Sequence, residues 1–174
     1  MSGKPRVVVR GSLKSMIAQI VTASPEGDRV MVSAHSNELA RKYGWKASRG
    51  NVPTAYLTGL LCGLKARTRG IKEAIPDVGL HSPSKGARVF AALKGVLDAG
   101  VQVPHSEEKL PDEKRLSGEH IVQYAKSLAP NAEEYQAMFS RYLEQKLSPE
   151  SLADNFGELR KEITASFRSR GEKT

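Results

Sequence analysis

The side chains with the clearest chemical potential lie between His35 and Asn51, where positive charge alternates with aromatic rings. This segment carries two arginines, two lysines, one tyrosine and one tryptophan, and Glu38 is its only acidic residue. Cations of this kind neutralise phosphates and rings stack on bases, so the pattern predicts a nucleic-acid-binding surface. Tyr43 and Trp45 have an equally good alternative role as anchors that hold the loop on the core, because tryptophan is mostly buried on average.

A helix is predicted to follow this basic segment and to position it. Asn51 is a favourable N-cap, Pro53 is tolerated in the first turn, and Gly70 is a suitable C-terminal stop. Leucines at 57, 60, 61 and 64 form one apolar stripe. A glycine inside a helix costs about 1 kcal/mol relative to alanine, so Gly59 and Gly63 predict that the helix backbone lies close against a sheet.

Three β-rich runs precede the basic segment, and their short spacing predicts an antiparallel meander over residues 6–10, 16–22 and 29–34. Two more strands are predicted over residues 73–79 and 101–104. Pro76 lacks a ladder donor and therefore favours an edge position or a bulge. The result is an α/β fold whose mixed five-stranded sheet combines the antiparallel meander with parallel strands and packed helices.

A second helix is predicted between the last two strands, with Ser82 or Ser84 as its cap and Gly100 after its end. Lys85 and Arg88 fall in its first turns, where positive charge opposes the helix dipole. A phosphate bound at this helix start would resolve the conflict, because free N–H groups and cations would then act together.

A charged loop over residues 106–116 predicts a boundary after the α/β domain, which then spans residues 1–105. Residues 106–174 form the predicted helical C-terminal extension, with helices over 118–128, 132–146 and 155–167. The second of these helices carries a large aromatic stripe, formed by Tyr135, Met138, Phe139 and Tyr142. The stripe predicts packing, either on the domain or on a partner.

The charge is strongly positive and unevenly distributed. The formal net charge is +8 and the sequence pI about 9.7. Residues 1–50 carry nine basic and three acidic side chains, residues 51–105 seven and three, and residues 106–174 eleven and thirteen. This balance favours polyanionic partners for the first two thirds of the chain, nucleic acid before an anionic membrane surface.

Cys62 is the only cysteine, which excludes an internal disulfide and favours a reducing compartment. No apolar run is long enough to span a membrane, and no signal peptide is recognisable. These features predict a cytoplasmic protein.

Catalytic chemistry is not indicated. The four histidines show no metal-ligand spacing, and no phosphate-binding or nucleophile motif is present. A two-metal nuclease needs several carboxylates that converge on strand ends, and the three strands of the meander carry none. We therefore predict no enzyme, metal site or cofactor. A metal-dependent nuclease and a scaffold that acts through the acidic tail alone are the alternatives.

Three runs closely resemble the archaeal and eukaryotic branch of the universal L-eighteen family of large-subunit ribosomal proteins: residues 4–22, 33–66 and 77–105. A looser resemblance extends over residues 148–163. The signatures from Gly50 to Gly59 (GN-x-P-x-A-Y-L-T-G) and from Gly79 to Pro83 (G-L-x-S-P) are specific in combination.

The resemblance implies a ribonuclease-H-like architecture without catalytic residues. It also implies a protein of the large subunit that binds 5S rRNA and docks it on the large-subunit (23S-type) rRNA in the central protuberance. The extension is expected to contact that rRNA and neighbouring ribosomal proteins. The RNA-binding residues implied by position are Lys4, Arg6, Arg10, Ser12, Lys14, Gln19, His35, Ser36, Tyr43, Trp45, Lys46, Arg49, Asn51, Ser82, Ser84, Lys85 and Arg88.

Two features depart from the family pattern. Members usually carry a basic arm before the Lys4-Pro5-Arg6 segment, whereas this sequence begins at Met1. The arm is therefore expected to be absent, trimmed, or lost to a late start codon. Pro76 stands where the family has an ordinary strand residue.

Overall fold

The computed structural model describes residues 3–171, with side chains described up to Arg168. Met1 and Ser2, where the basic arm would precede the first strand, lie outside the described residues.

The sheet has four strands in the order β3-β2-β1-β4. The antiparallel meander is confirmed, and the fourth strand pairs in parallel with the first. Pro76 lies on the edge strand, as its missing N–H predicts. The strands are β1 (Arg6–Gly11), β2 (Met16–Thr22), β3 (Arg29–His35) and β4 (Ile75–Asp77).

The predicted fifth strand is wrong. Gln102 forms an isolated parallel bridge with Glu73, outside the four-stranded sheet. Its backbone accepts a hydrogen bond from the Ala74 N–H and donates one to the Lys72 carbonyl, at 2.9 and 2.8 Å. Val101 and Val103 on either side are buried, so this segment is held by its side chains as well as by backbone pairing.

Helix α2 (Val52–Thr68) is the centre of the domain, and it is buried on nearly every side. It begins as predicted, because the Asn51 side chain accepts a hydrogen bond from the Thr54 N–H at 3.0 Å. The sheet contributes its inner face to the same core, with Val7, Val9 and Ile20 fully buried. Helix α1 (Ser36–Tyr43) precedes α2, and helix α3 (Arg88–Asp98) packs against α2.

The small residues of α2 face α3, and the prediction that they face a sheet is wrong. A Cβ on Gly59 would lie 1.8 Å from the Ala92 carbonyl oxygen. On the opposing helix, a Cβ on Gly95 would lie 2.2 Å from the Tyr56 carbonyl oxygen. The two backbones therefore touch directly, which only glycine permits at these positions.

The C-terminal region is helical, as predicted, and packs on the domain. Leu152, Phe156 and Ile163 of its last helix are buried in the same hydrophobic cluster as the sheet and α2. The ring centroids of Phe156 and Tyr56 lie 5.5 Å apart. The helices are α4 (Glu113–Ser117), α5 (Glu119–Leu128), α6 (Ala132–Glu144) and α7 (Leu152–Gly171). None of the helices in the described part of the chain is long and apolar enough to cross a membrane.

Candidate nucleic-acid interface

A groove opens between the basic loops of the domain and helix α6, and we call it the cationic groove. Its volume is about 330 Å³, and its walls include Leu13, Lys14, Lys46, Arg49, Met138 and Arg141. The side chains of Lys14, Lys46 and Arg141 form no ion pair or hydrogen bond with any residue that the structure describes. Arg49 donates to the neutral Asn37 amide oxygen at 2.9 Å. The groove is therefore a concentration of positive charge without internal neutralisation.

The open sheet face, by contrast, pairs its arginines with carboxylates. Arg6 forms ion pairs with Asp28 and Asp77, and Arg10 donates to Asp77 at 2.9 Å. The hydrogen bond from Arg10 holds the pKa of the Asp77 carboxyl below its usual range, although slight burial opposes this effect. Lys4 similarly lies 3.2 Å from Glu73. This face has both signs of charge, so a phosphate at either arginine would compete with a carboxylate.

Two polar side chains predicted at the interface, those of His35 and Ser36, form hydrogen bonds within the protein at the junction of β3 and α1. The N-cap of α1 is His35. The His35 Nδ1 accepts from the Asn37 N–H at 3.0 Å, and the His35 N–H donates to Glu38 in a capping box. Ser36 is fully buried, and its Oγ accepts from the Met16 N–H at 3.1 Å. Ser36 is therefore inaccessible to an external ligand, whereas His35 is half-buried.

The tryptophan of the basic segment is a loop anchor. Trp45 is 6% exposed, and its indole N–H donates to the Thr54 hydroxyl at 2.8 Å. Thr54 in turn donates to the Ser48 carbonyl at 2.6 Å, which ties the loop to the start of α2. Tyr43 is half-buried, with its hydroxyl 3.3 Å from that of Ser166 in the last helix. Of the two roles that the sequence left open for Trp45, the structure supports the anchor.

The loop before α3 is divided between exposed and structural residues. Ser82, Ser84 and Lys85 are exposed. The N-cap of α3 is Ala87, without a side-chain hydrogen bond, so the predicted serine caps are wrong. Arg88 donates to the Ser12 and Gly50 carbonyls at 2.9 and 2.7 Å.

Arg88 therefore joins three loops of the domain, and its guanidinium is not available to bind a phosphate at the start of α3.

The remaining predicted residues differ in their accessibility. Ser12 is exposed, and its hydroxyl accepts from the Ser15 N–H at 3.0 Å within its own turn. Gln19 is half-buried beside Ser33. Asn51 is occupied by its capping bond to Thr54.

The sequence-based reasoning missed the contribution of α6. Arg141 and Met138 line the cationic groove, and Met138 is 58% exposed. The stripe that contains Met138 was predicted as packing, and this holds for Phe139, which is buried among Tyr124, Tyr135 and Tyr142. One signal in the sequence indicated that Met138 is exposed. Met138 and Arg141 are three positions apart, so Met138 shares its helical face with a charged residue.

A polar cluster fastens the last helix to the domain. Arg160 of α7 lies 3.6 Å from Asp98 and 3.5 Å from Glu113, and its guanidinium lies over the Tyr56 ring. The Tyr56 hydroxyl donates to Asp98 at 2.8 Å. Burial, together with that hydrogen bond, raises the pKa of Tyr56 far above its usual value. This cluster fastens α7 to helices α2 and α3 of the core.

The described residues contain no group of three or more metal-ligating side chains. Burial raises the pKa of the Cys62 thiol to about 12, so the thiol stays protonated and is a packing residue. Exposed cations on well-anchored loops over a closed core define a basic α/β protein suited to binding polyanions.

Comparisons with known proteins identify the family. A family model described as ribosomal large subunit proteins 60S L5 and 50S L18 matches residues 1–73 and 65–106. The chain is also 52% identical to the large ribosomal subunit protein uL18 of Aeropyrum pernix, over 99% of this chain and 81% of that protein. The chain belongs to this family of large-subunit ribosomal proteins. It is a ribosomal protein and not an enzyme, and its partners are rRNA and other ribosomal proteins.

Proposed function

We propose that this chain binds 5S rRNA and attaches it to the large-subunit rRNA in the central protuberance. The observation that carries the proposal is the set of exposed cations on the loops of the domain that have no carboxylate partner among the described residues. Lys14, Lys46 and Lys85 belong to this set, and Arg49 contacts only a neutral amide oxygen. Family membership and the signatures around Gly50 and Gly79 support 5S rRNA as the polyanion.

The mechanism is phosphate neutralisation by cations held on a rigid frame. Each neutralised phosphate releases counterions, which makes the affinity fall with salt concentration. Folded RNA is recognised mainly through its backbone geometry and 2′-hydroxyls. The loop anchors Trp45 and Arg88 contribute indirectly, because they keep the lysine-bearing loops in one conformation.

We further propose that residues 1–105 form the RNA-binding domain, with a ribonuclease-H-like architecture, and that residues 106–174 form an extension. The extension contacts large-subunit rRNA and neighbouring ribosomal proteins. Its near-balanced charge supports a role in protein contacts, and Arg141 supports an RNA contact at its edge.

The test is a filter-binding titration of the full chain against 5S rRNA at several salt concentrations. Changing Lys46 and Lys85 together to alanine should weaken binding and reduce the slope of log K against log[salt] by about 1.4–1.8, which is the contribution of two phosphates. Both side chains are exposed and without an ion pair among the described residues, so the fold should be unchanged in circular dichroism.

The matched control changes Lys114 and Lys126, two exposed lysines of the C-terminal helices, to alanine. It removes the same charge from the proposed extension, and it should leave most of the affinity and slope intact. Equal effects of the two double variants would contradict a localised interface. A wild-type chain that binds 5S rRNA no better than an unrelated RNA of the same length would refute the function itself.

A further inference from the structure

We propose that the cationic groove holds one unpaired nucleotide of the rRNA, splayed out of its strand, with its phosphate on the cations and its base against the apolar wall. This inference rests on the proposed RNA-binding function and deepens it. It assigns a ligand class to a groove that lies between the domain and α6.

The charge of the groove selects an anion. Lys14, Lys46 and Arg141 reach it from three separate segments, and no aspartate or glutamate is part of its lining. Because the three side chains have no ion pair among the described residues, an arriving phosphate displaces no protein carboxylate. The sheet face lacks this property, since Asp77 is already bound to its arginines.

The apolar side chains of the groove select more than an anion. Leu13 is 93% exposed on one wall and Met138 is 58% exposed on the other, and Tyr142 lies beside them. Large apolar groups left in water favour an occupant with a flat, weakly hydrated surface. A free phosphate has no such surface, and an RNA duplex keeps its base faces stacked inside the helix.

An unpaired nucleotide satisfies both requirements at once. Sequence-specific recognition of RNA commonly uses bases that are splayed out and stacked on aromatic rings or arginine planes. Arg141 and Tyr142 both line the groove. The Tyr142 ring is half-buried against Phe139, so its remaining surface and the Arg141 plane are the two surfaces on which a base could lie. The volume of about 330 Å³ lies at the lower end of the range for ligand pockets, roughly 300–1,000 Å³, which suits one nucleotide.

The experiment places a cleavage probe on each wall of the groove. Leu13→Cys and Met138→Cys each add one exposed thiol, whereas the natural Cys62 is fully buried and should not react. Each thiol is coupled to an iron chelate that generates hydroxyl radicals, and the full chain is assembled with 5S rRNA and large-subunit rRNA. Lys126→Cys, outside the groove lining, is the matched control.

Both groove probes should cleave around the same unpaired nucleotide, and the control probe should cleave elsewhere or not at all. Cleavage at two unrelated places, cleavage within duplex RNA alone, or cleavage of a neighbouring protein without RNA cleavage would overturn the proposal. If the wild-type chain fails to bind 5S rRNA while both probes cleave one nucleotide of the large-subunit rRNA, the groove assignment stands and the 5S rRNA function fails.

A second measurement tests the base contact. Met138→Ala and an abasic substitution at the identified nucleotide should each weaken binding, and together they should weaken it by less than the product of the two effects, because they remove one contact. Independent effects would contradict base contact in the groove. Arg141→Ala should weaken binding roughly tenfold, as expected for a charged hydrogen bond, whereas Lys126→Ala should change it little.

Discussion

The direct contact between α2 and α3 makes a sharp prediction for Gly59. Alanine at this position would carry a Cβ 1.8 Å from the Ala92 carbonyl oxygen, 2.6 Å from the carbonyl carbon and 2.8 Å from the Cα. All three atoms are backbone, so no side-chain rotation can make room. Since ordinary contact begins at 3.4 Å, the helices have to separate locally by about 1.6 Å, which disrupts close packing.

Two opposing effects set the size of the change. Alanine favours the helix over glycine by about 1 kcal/mol. Overpacking a close-packed core costs about 1–3 kcal/mol and occasionally more, and a backbone-to-backbone contact belongs at the upper end of that range. The expected net loss of stability for Gly59→Ala is therefore about 2 kcal/mol. In a chain of this length this lowers the Tm by about 4–8 °C.

The assay compares thermal and urea unfolding of Gly59→Ala with that of Gly157→Ala. Gly157 lies within α7, and a Cβ there meets nothing within 4 Å. The control should gain up to about 1 kcal/mol, because only the helix preference changes. A loss of stability in Gly59→Ala together with a gain in Gly157→Ala would support the direct contact between α2 and α3. A Gly59→Ala protein as stable as the wild type would refute the reasoning.

Three further predictions concern charged side chains. Asp77→Asn should release Arg10 and leave Arg6 with Asp28 alone, so binding to unrelated RNA should tighten and its salt dependence steepen in filter binding; unchanged binding would show that RNA does not reach this face. Burial raises the pKa of Glu38, but hydrogen bonds from lysines, chiefly Lys65, outweigh it and hold this pKa below the ordinary value. Its contribution to stability is therefore present at neutral pH and lost in acid, so the Tm gap between wild type and Glu38→Gln should close as the pH falls below about 4. A gap of the same size at pH 7 and at pH 3 would contradict this assignment. Arg160→Ala should speed hydrogen exchange in α7 but not in β1–β3, because it breaks the contact with Asp98; a uniform change would mean that α7 is not separately anchored.

Much of the fold could be predicted because its determinants are local. A run of three valines identifies β1, and Asn51 caps α2 through a bond to a residue only three positions away. Pro76 indicates an edge strand because a single missing N–H excludes it from a central one. Each of these signals lies within one element, so a single sequence contains it.

The site was less predictable because its decisive contacts join distant residues. Arg10 is 67 positions from Asp77, and Arg88 is 76 positions from Ser12. A cation on a strand looks the same in the sequence whether it faces solvent or a carboxylate. The burial of Ser36 was hidden for a related reason, since its partner is the Met16 backbone N–H, which every residue except proline possesses.

The distribution of partners changes how the net charge of the interface should be counted. Arg6 and Arg10 are bound to carboxylates, and Arg88 is bound to backbone carbonyls. Of the cations that line the groove or were predicted at the interface, those that the described residues pair neither with a carboxylate nor with a backbone carbonyl are Lys14, Lys46, Arg49, Lys85 and Arg141. If each of the five neutralises one phosphate, log K should fall with log[salt] with a slope of about −3.5 to −4.5.

A steeper slope has a specific meaning. Arg6 and Arg10 would join the contact in competition with Asp28 and Asp77, and two further neutralised phosphates would add roughly 1.4–1.8 to the magnitude of the slope. If both arginines take part, this additional part of the slope should disappear when both are changed to alanine. A wild-type slope near −4 that Arg6→Ala with Arg10→Ala leaves unchanged would locate the RNA on the loops and α6. A slope near −6 that falls in the double variant would return the RNA to the sheet face.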